Sequence, residues 1–408
     1  MDIRLKKTII IFFVLLLIFI SLMIFSEYRN IENLREEEGV NESALELRKE
    51  SLKVWGVRLL LNFLIPLLFL TTKFSQKISS FVSKGRGSIV SGILYGLIFF
   101  FIVFLINLPL NFYSSYYLNH KYGLSNQSIW RWLELNIKSF LTSDLLTALF
   151  LWVPYGIISR GSRTWWIKLS LLVIPVIIFM VFISPLVIDP IFNKYTSIAD
   201  EDLGKEITTL LDRAGIKDAK IYKVDKSKDT KTMNAYMTGI SSSKRIVLWD
   251  TTIEKLNEKE ILSVTSHEIG HYINGHIWKN ILLSILGTFI LFFLVYIGSE
   301  WMLYYSYGSF GFKTLSNYAS LPLLILLLNV FLFFGDPLSN YISRKMEVEA
   351  DIVEITLTGD RESAVSAMEK LSKNNLGVKR TSKLYEIFYL THPSLEDRIE
   401  FYKTYPID

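Results

Sequence analysis

Three of the chain's five histidines fall within ten residues, in the run Ser266-His267-Glu268-Ile269-Gly270-His271-Tyr272-Ile273-Asn274-Gly275-His276. On a helix, His267 and His271 stand four apart, project from one face and can grip one metal ion. Glu268 lies beside the first of them, where its carboxylate can reach a water on that ion. This is the H-E-x-x-H spacing of the zincins. Zinc lowers the pKa of its water to about 7, which makes a nucleophile at neutral pH. Glu268 would accept that water's proton and pass it to a leaving amine.

Two histidines leave a third position to fill. A histidine ten residues after the first would do so, but Ile277 stands there and His276 is one place off. That spacing predicts a carboxylate from another helix. Residues 343–354 read Ser-Arg-Lys-Met-Glu-Val-Glu-Ala-Asp-Ile-Val-Glu. If helical, they place Glu347, Asp351 and Glu354 on one face and turn Glu349 away from it. Taken alone, the segment also fits a solvated charged face.

The elements that must position these residues belong to a membrane. The chain has 408 residues, 50% hydrophobic and 20% charged, where an ordinary soluble domain has about 25% charged; its mean hydropathy is +0.33. It contains no cysteine, which excludes disulfides, thiolate metal sites and cysteine nucleophiles, so a metal must sit on histidine and carboxylate. A net charge of +5, from 44 basic and 39 acidic residues, gives a nucleic-acid role no electrostatic support. Seven apolar runs are long enough to span a bilayer: 8–26, 55–72, 88–112, 142–159, 165–187, 280–304 and 317–335. The first follows Arg4, Lys6 and Lys7, exceeds a signal h-region and has no small-x-small site after it, so it reads as a retained span. The fourth, sixth and seventh carry polar or proline interruptions and suit the lining of a cavity.

Two polar blocks remain, 188–279 and 336–408, and an odd number of spans between the N terminus and each puts both on one face. The reading divides the chain into a five-helix membrane region (1–187), a catalytic part with the H-E-x-x-H helix (188–279), a membrane hairpin (280–335) and a second catalytic part (336–408). Asp189-Pro190 is expected to stop a helix. Helix, strand (Lys220 to Val224), loop, strand (Arg245 to Trp249) and helix should follow. Glu258 to Lys279 reads as one helix running directly into the sixth span. The last block reads as helical through about residue 372, then a Gly-containing loop, then a helix near 394–403. Residues 27–53, with eight Glu against five Lys and Arg, read as a solvated helix beside the membrane. Basic residues near the span ends number eleven on one face and thirteen on the other, which leaves the orientation open under the positive-inside rule.

With both blocks in view, the sequence resembles the type I CAAX prenyl proteases, integral-membrane zinc endopeptidases that process farnesylated precursors. Their H-E-x-G-H matches His267 to His271, and their S-R-x-x-E-x-x-A-D matches Ser343 to Asp351, with Val348 where the family usually has an aromatic. The resemblance implies Glu347 as the third zinc ligand and Asp351 as a partner that holds a ligating histidine in orientation. Asn234-Ala235-Tyr236-Met237-Thr238-Gly239 and Lys244 to Leu248 look like the family's N-A-Y-x-x-G strand pair. There Asn234, Ala235, Tyr236 and Gly239 would bind substrate, which is added to the edge strand in extended form. Leu371 to Gly377 and His392-Pro393-Ser394-Leu395-Glu396-Asp397-Arg398 match C-terminal landmarks. They make His392 the group that stabilises the oxyanion and Arg398 a support of the site. His120 to Ser125 and Asp189 to Lys194 resemble positions in the membrane part, and His120 reads as structural.

The resemblance further implies a mostly α fold, with about seven membrane helices enclosing a water-filled chamber beside a zincin-like α+β domain. It implies one zinc ion, peptide or protein substrates, prenylated or not, met within a lipid bilayer, and a site facing the cytoplasm. The alternative is a heat-shock type membrane metalloprotease acting on unfolded or stalled proteins, but those relatives have about four spans. A site-two type intramembrane protease would carry its motif in a fully apolar helix, whereas Glu258, Lys259 and Glu260 precede this one and Asn274, Lys279 and Asn280 follow it. A transporter or inactive scaffold would not need Glu268 beside two histidines.

Overall fold

The computed structural model describes residues 1–161, 163–239 and 243–406. Among them, seven helices are long and apolar enough to cross a membrane. The first five are α1 (Ile3–Arg35), α2 (Glu42–Thr71), α3 (Ser88–Lys121), α4 (Ile129–Ile158) and α5 (Trp165–Phe182). Next come β1 (Tyr195–Ser197), α6 (Asp202–Arg213), β2 (Lys220–Val224), β3 (Ala235–Thr238), β4 (Arg245–Trp249) and α7 (Glu258–Ile273). The remaining membrane helices are α8 (His276–Ser306) and α9 (Leu321–Thr358), followed by α10 (Arg361–Asn374), α11 (Lys383–Tyr389) and α12 (Leu395–Thr404). Leu5, Phe63, Leu70, Trp165, Val295 and Leu323 form the largest core, which ties α1, α2, α5, α8 and α9 together.

The strands form one sheet in the order β1-β2-β4-β3. β2 and β4 are parallel, and β1 and β3 flank them antiparallel. Ile221, Ile246 and Leu248 of the sheet pack on Ile207 and Leu211 of α6 and on Ile261 and Ile269 of α7. The sheet therefore rests on the motif helix, with β3 as an edge.

Several local expectations are corrected. Glu258 to Lys279 is two helices: α7 ends at Ile273, and Gly275 takes the left-handed conformation (φ 64°) before α8 begins. The apolar run masks this break, although Asn274-Gly275 is an ordinary helix-stop signal. A helix stops at Val187, just before Asp189-Pro190 as expected, and the pair itself then opens a further short helical turn, Asp189–Phe192. The three-residue β1 and the seven-residue α11 escape pattern reading because each is shorter than the run over which a strand or helix pattern can be recognised. In the last block a second break falls at Gly359, also left-handed (φ 64°).

Residues 27–53 are not a solvated helix. Glu27 is fully buried, where it accepts from Arg48 Nε at 3.0 Å and from the Ser382 amide at 2.8 Å. Ile31, Leu34, Leu45 and Leu52 form a cluster against Val378 and Tyr385. This stretch anchors the C-terminal segment that carries part of the site. His120 bridges two carbonyls, of Tyr116 at 2.7 Å and Gln127 at 2.8 Å, which is the structural role expected of it.

Candidate metal centre and active site

The start of α7 is fixed by a capping box in which Asn257 and Glu260 satisfy each other's backbone N–H. Glu260 is buried and also meets Lys370 and Ser366 of α10. One face of α7 then lies against α9 at very close range. A Cβ on Gly270 would stand 2.8 Å from the Ala350 carbonyl oxygen, so this crossing requires glycine opposite a small residue. That approach brings Glu347 of α9 within reach of the α7 histidines.

His267 Nε2 and His271 Nε2 are 3.1 Å apart. Glu347 offers Oε2 at 3.2 Å from the first and Oε1 at 3.4 Å from the second. One ligand atom from each of the three residues lies within 4.8 Å of the others. Glu347 Oε2 is buried and makes no hydrogen bond, a cost that a bound cation would remove. Two imidazole nitrogens and a carboxylate are a donor set that suits a catalytic zinc. These residues therefore fit the metal. Glu354, on the same face of α9, lies 3.6 Å from His267 Nδ1. Nδ1 is on the far side of the ring from His271, so Glu354 is not part of the converging set.

Glu268 follows His267 on the same turn of helix, and its environment differs from that of a surface carboxylate. Burial raises its pKa above the usual carboxylate range, against the opposing pull of both histidines and of the Met237 main chain. Met237 belongs to β3, so the edge strand and Glu268 are immediate neighbours.

The other expected residues are distributed as follows. Asp351 Oδ1 is 2.8 Å from His267 Nδ1, and Arg398 of α12 donates to Asp351 through Nε at 3.0 Å. His392 precedes α12 and is 57% exposed, with Nε2 3.3 Å from Glu347 Oε1. Asn234 caps its neighbour, its Oδ1 accepting from the Ala235 amide at 2.9 Å. The Ala235 side chain faces the core under the sheet, so it has only main chain to offer a ligand. Tyr236 Oη is 3.1 Å from Tyr195 Oη, on the opposite face of the strand. Gly239 (φ 86°) could not carry a side chain, since a Cβ would fall 2.2 Å from the Ser243 carbonyl oxygen.

Sequence reasoning missed Tyr402, whose Oη is 2.7 Å from Asp351 Oδ1 and 2.5 Å from Glu354 Oε2. Nothing in its spacing marks it. It also missed His276, whose Nδ1 is 2.8 Å from His271 Nδ1; the signal there was the third histidine of the cluster and the Asn-Gly stop before it.

Water made nucleophilic on a metal, with a carboxylate beside it to move the proton, is peptidase chemistry, and here it is set among bilayer-length helices. The class is that of the membrane metallopeptidases. Comparison with known proteins narrows it. The family model of peptidase family M48 matches residues 197–405, and that of the CAAX prenyl protease N-terminal region, with five membrane helices, matches 31–194. The chain is 35% identical over 293 residues to an uncharacterised metalloprotease, YhfN, of Bacillus subtilis, covering 72% of this chain and 68% of the relative. It is 31% identical over 314 residues to CAAX prenyl protease 1 of Saccharomyces cerevisiae, covering 72% and 67%. Its fold matches the crystal structure of S. mikatae Ste24p with a TM-score of 0.83 at 24% identity, over 94% of this chain and 95% of that one. The chain belongs to peptidase family M48, and it is a multi-pass integral membrane metalloendopeptidase.

Proposed function

We propose that the protein cleaves near the C terminus of prenylated, CAAX-type peptides, using one zinc ion held by His267, His271 and Glu347. The observation that carries the reading is the convergence of ligand atoms from His267, His271 and Glu347, with the buried Glu268 beside them and against the Met237 main chain of β3. When bound, the zinc would acidify a water and polarise the scissile carbonyl. Glu268 accepts the water's proton as its oxygen adds to the carbonyl carbon, then delivers that proton to the amine as the C–N bond breaks. The raised pKa of Glu268 suits both halves of that exchange. His392, on the open side of Glu347, donates to the developing oxyanion. Asp351, steadied by Arg398, keeps the Nδ1 proton of His267 in place so that Nε2 stays available.

Substrate lies extended along β3. The Trp249 amide donates to the Asn234 carbonyl at 3.1 Å, so in this antiparallel register residues 234, 236 and 238 turn their main-chain groups toward β4. Ala235 and Met237 turn theirs to the free edge. With the Ala235 amide already capped by Asn234 and the Met237 amide turned to Glu268, the Ala235 and Met237 carbonyls remain to pair with a peptide. An enclosed chamber opening toward the cytoplasm would restrict entry to such unfolded tails. A prenyl chain would concentrate them there, each buried CH₂ contributing about 0.8 kcal/mol of membrane affinity.

The test is a panel of farnesylated and unmodified peptides offered to wild type and to Glu268→Ala. Preferential cleavage of the farnesylated members, lost by about 10²–10⁴ in rate in the variant with zinc retained, supports the reading. Equal cleavage of unmodified and unfolded chains would favour the quality-control alternative. Turnover undiminished in the variant would remove Glu268 from the mechanism.

A further inference from the structure

We infer that His276, through Glu349, is the positioning residue that fixes the tautomer of His271. The inference rests on the zinc reading above and concerns residues that the ligand set leaves out. His267 has a carboxylate on its Nδ1. His271 has another histidine: His276 Nδ1 at 2.8 Å. His276 Nε2 in turn lies 3.0 Å from Glu349 Oε2, which also accepts from Lys279 Nζ at 2.8 Å.

The proton positions follow from the geometry. His271 Nε2 points at His267 Nε2 and Glu347, so it must carry its lone pair there to act as a ligand. Its proton is then on Nδ1 and is donated to His276 Nδ1, which must itself be bare. His276 is left with its proton on Nε2, aimed at the Glu349 carboxylate. The opposite tautomer of His276 would set two N–H groups against each other and a lone pair against a carboxylate. Only one assignment satisfies every pair, and Glu349 selects it. His276 is 3% exposed, so water is kept from its ring and reaches the relay only at the Glu349 end.

The helix break makes the contact possible. Five residues along an unbroken helix turn about 140° around the axis, which would carry His276 to the far side from His271. The left-handed Gly275 returns the chain so that the two rings meet. Nothing lies within 4 Å of a Cβ built on Gly275, so glycine is required there by φ and not by space. Asn274 secures the same corner, donating to the Gly270 carbonyl at 3.0 Å and to the Glu349 carbonyl at 3.3 Å.

The test measures zinc affinity of the full-length protein in detergent by competition with chelators, with no activity readout needed. His276→Phe keeps an aromatic ring but removes the acceptor, and should weaken zinc binding by about 10–100-fold. His276→Asn puts a carbonyl oxygen near the place of Nδ1 and should recover most of that loss. The melting temperature of the metal-free protein should not follow zinc affinity across the three, as a purely structural role would require. Glu349→Leu, which leaves the buried ring in place, provides a second variant should His276→Phe fail to fold, and should weaken zinc binding by a smaller factor. Wild-type affinity in His276→Phe or in Glu349→Leu, or no recovery in His276→Asn, overturns the proposal. Wild-type protein that takes up no zinc at all would instead overturn the metal reading beneath it.

Discussion

His267 and His271 are one helical turn apart and face the same point, yet their outer nitrogens meet opposite surroundings. Behind His267 lie Asp351 and Arg398, whose side chains are 2% and 11% exposed, together with the fully buried Glu354 and Tyr402. Ser263 closes that group by donating to Glu354. Behind His271 lies one buried ring, and past it Glu349 and Lys279, 44% and 47% exposed. The first network is desolvated, so each of its members depends on the others being present. The second ends in water, where an ion pair contributes little to folding. One ligand is thus held by an arrangement that also holds the fold together, and the other by one that acts mainly on the metal.

Substitutions can break this contrast. The largest effect is expected for Asp351→Ala, which strands the Arg398 charge and frees His267. Removing one partner of a buried pair typically costs about 3–5 kcal/mol, so denaturant unfolding of the metal-free protein should show it before zinc is considered. Gly270→Ala should come next, because backbone, not a movable side chain, stands 2.8 Å from the added Cβ. Overpacking of this kind costs about 1–3 kcal/mol. It should also part α7 from α9, so stability and zinc content should fall together, and a fall in only one would argue against the close crossing as the cause. Tyr402→Phe leaves Asp351 and Glu354 each short of a hydrogen-bond partner, at about 1–3 kcal/mol, with the zinc ligands themselves untouched. Lys279→Met should be smallest, within about 1 kcal/mol of wild type in unfolding. If it destabilised the protein as much as Tyr402→Phe, the two supports would not differ in the way described.

The parts of this site that could be read from the sequence are those that repeat with helical spacing. His267 and His271 share a face because they are four apart, and Glu347, Asp351 and Glu354 share one for the same reason. All three of the latter are buried while Glu349 is not. What spacing could not supply is where separate elements meet. Tyr402 reaches Asp351 from a helix that no periodicity connects to α9. Glu349 points away from the ligand face as expected, but a turn at Gly275 brings His276 to meet it. The run of apolar residues after Lys279 hides that turn, since a long hydrophobic stretch outweighs a single glycine in any window average. The strand Ala235–Thr238 was visible only through family resemblance, because four residues with one buried position carry no pattern of their own.

The continuity of α9 has a consequence for where cutting takes place. This single helix of 38 residues, about 57 Å long at 1.5 Å per residue, carries the seventh span and Glu347 together. The close crossing at Gly270 fastens α7 to it, while Gly275 separates α7 from the sixth span. The three ligands are therefore held to one another at this crossing and joined to the seventh span through the turn that contains Pro337, so a change of tilt alters their depth but not their mutual distances. A bilayer of different thickness changes helix tilt at a cost of only fractions of a kcal/mol per Å. Such a change should leave zinc affinity constant while moving the cleavage point along a membrane-anchored peptide. In that sense the helix works as a ruler, and reconstitution in lipids of graded acyl length would read its scale: a fixed cleavage point across the series would show that the depth is set by something else.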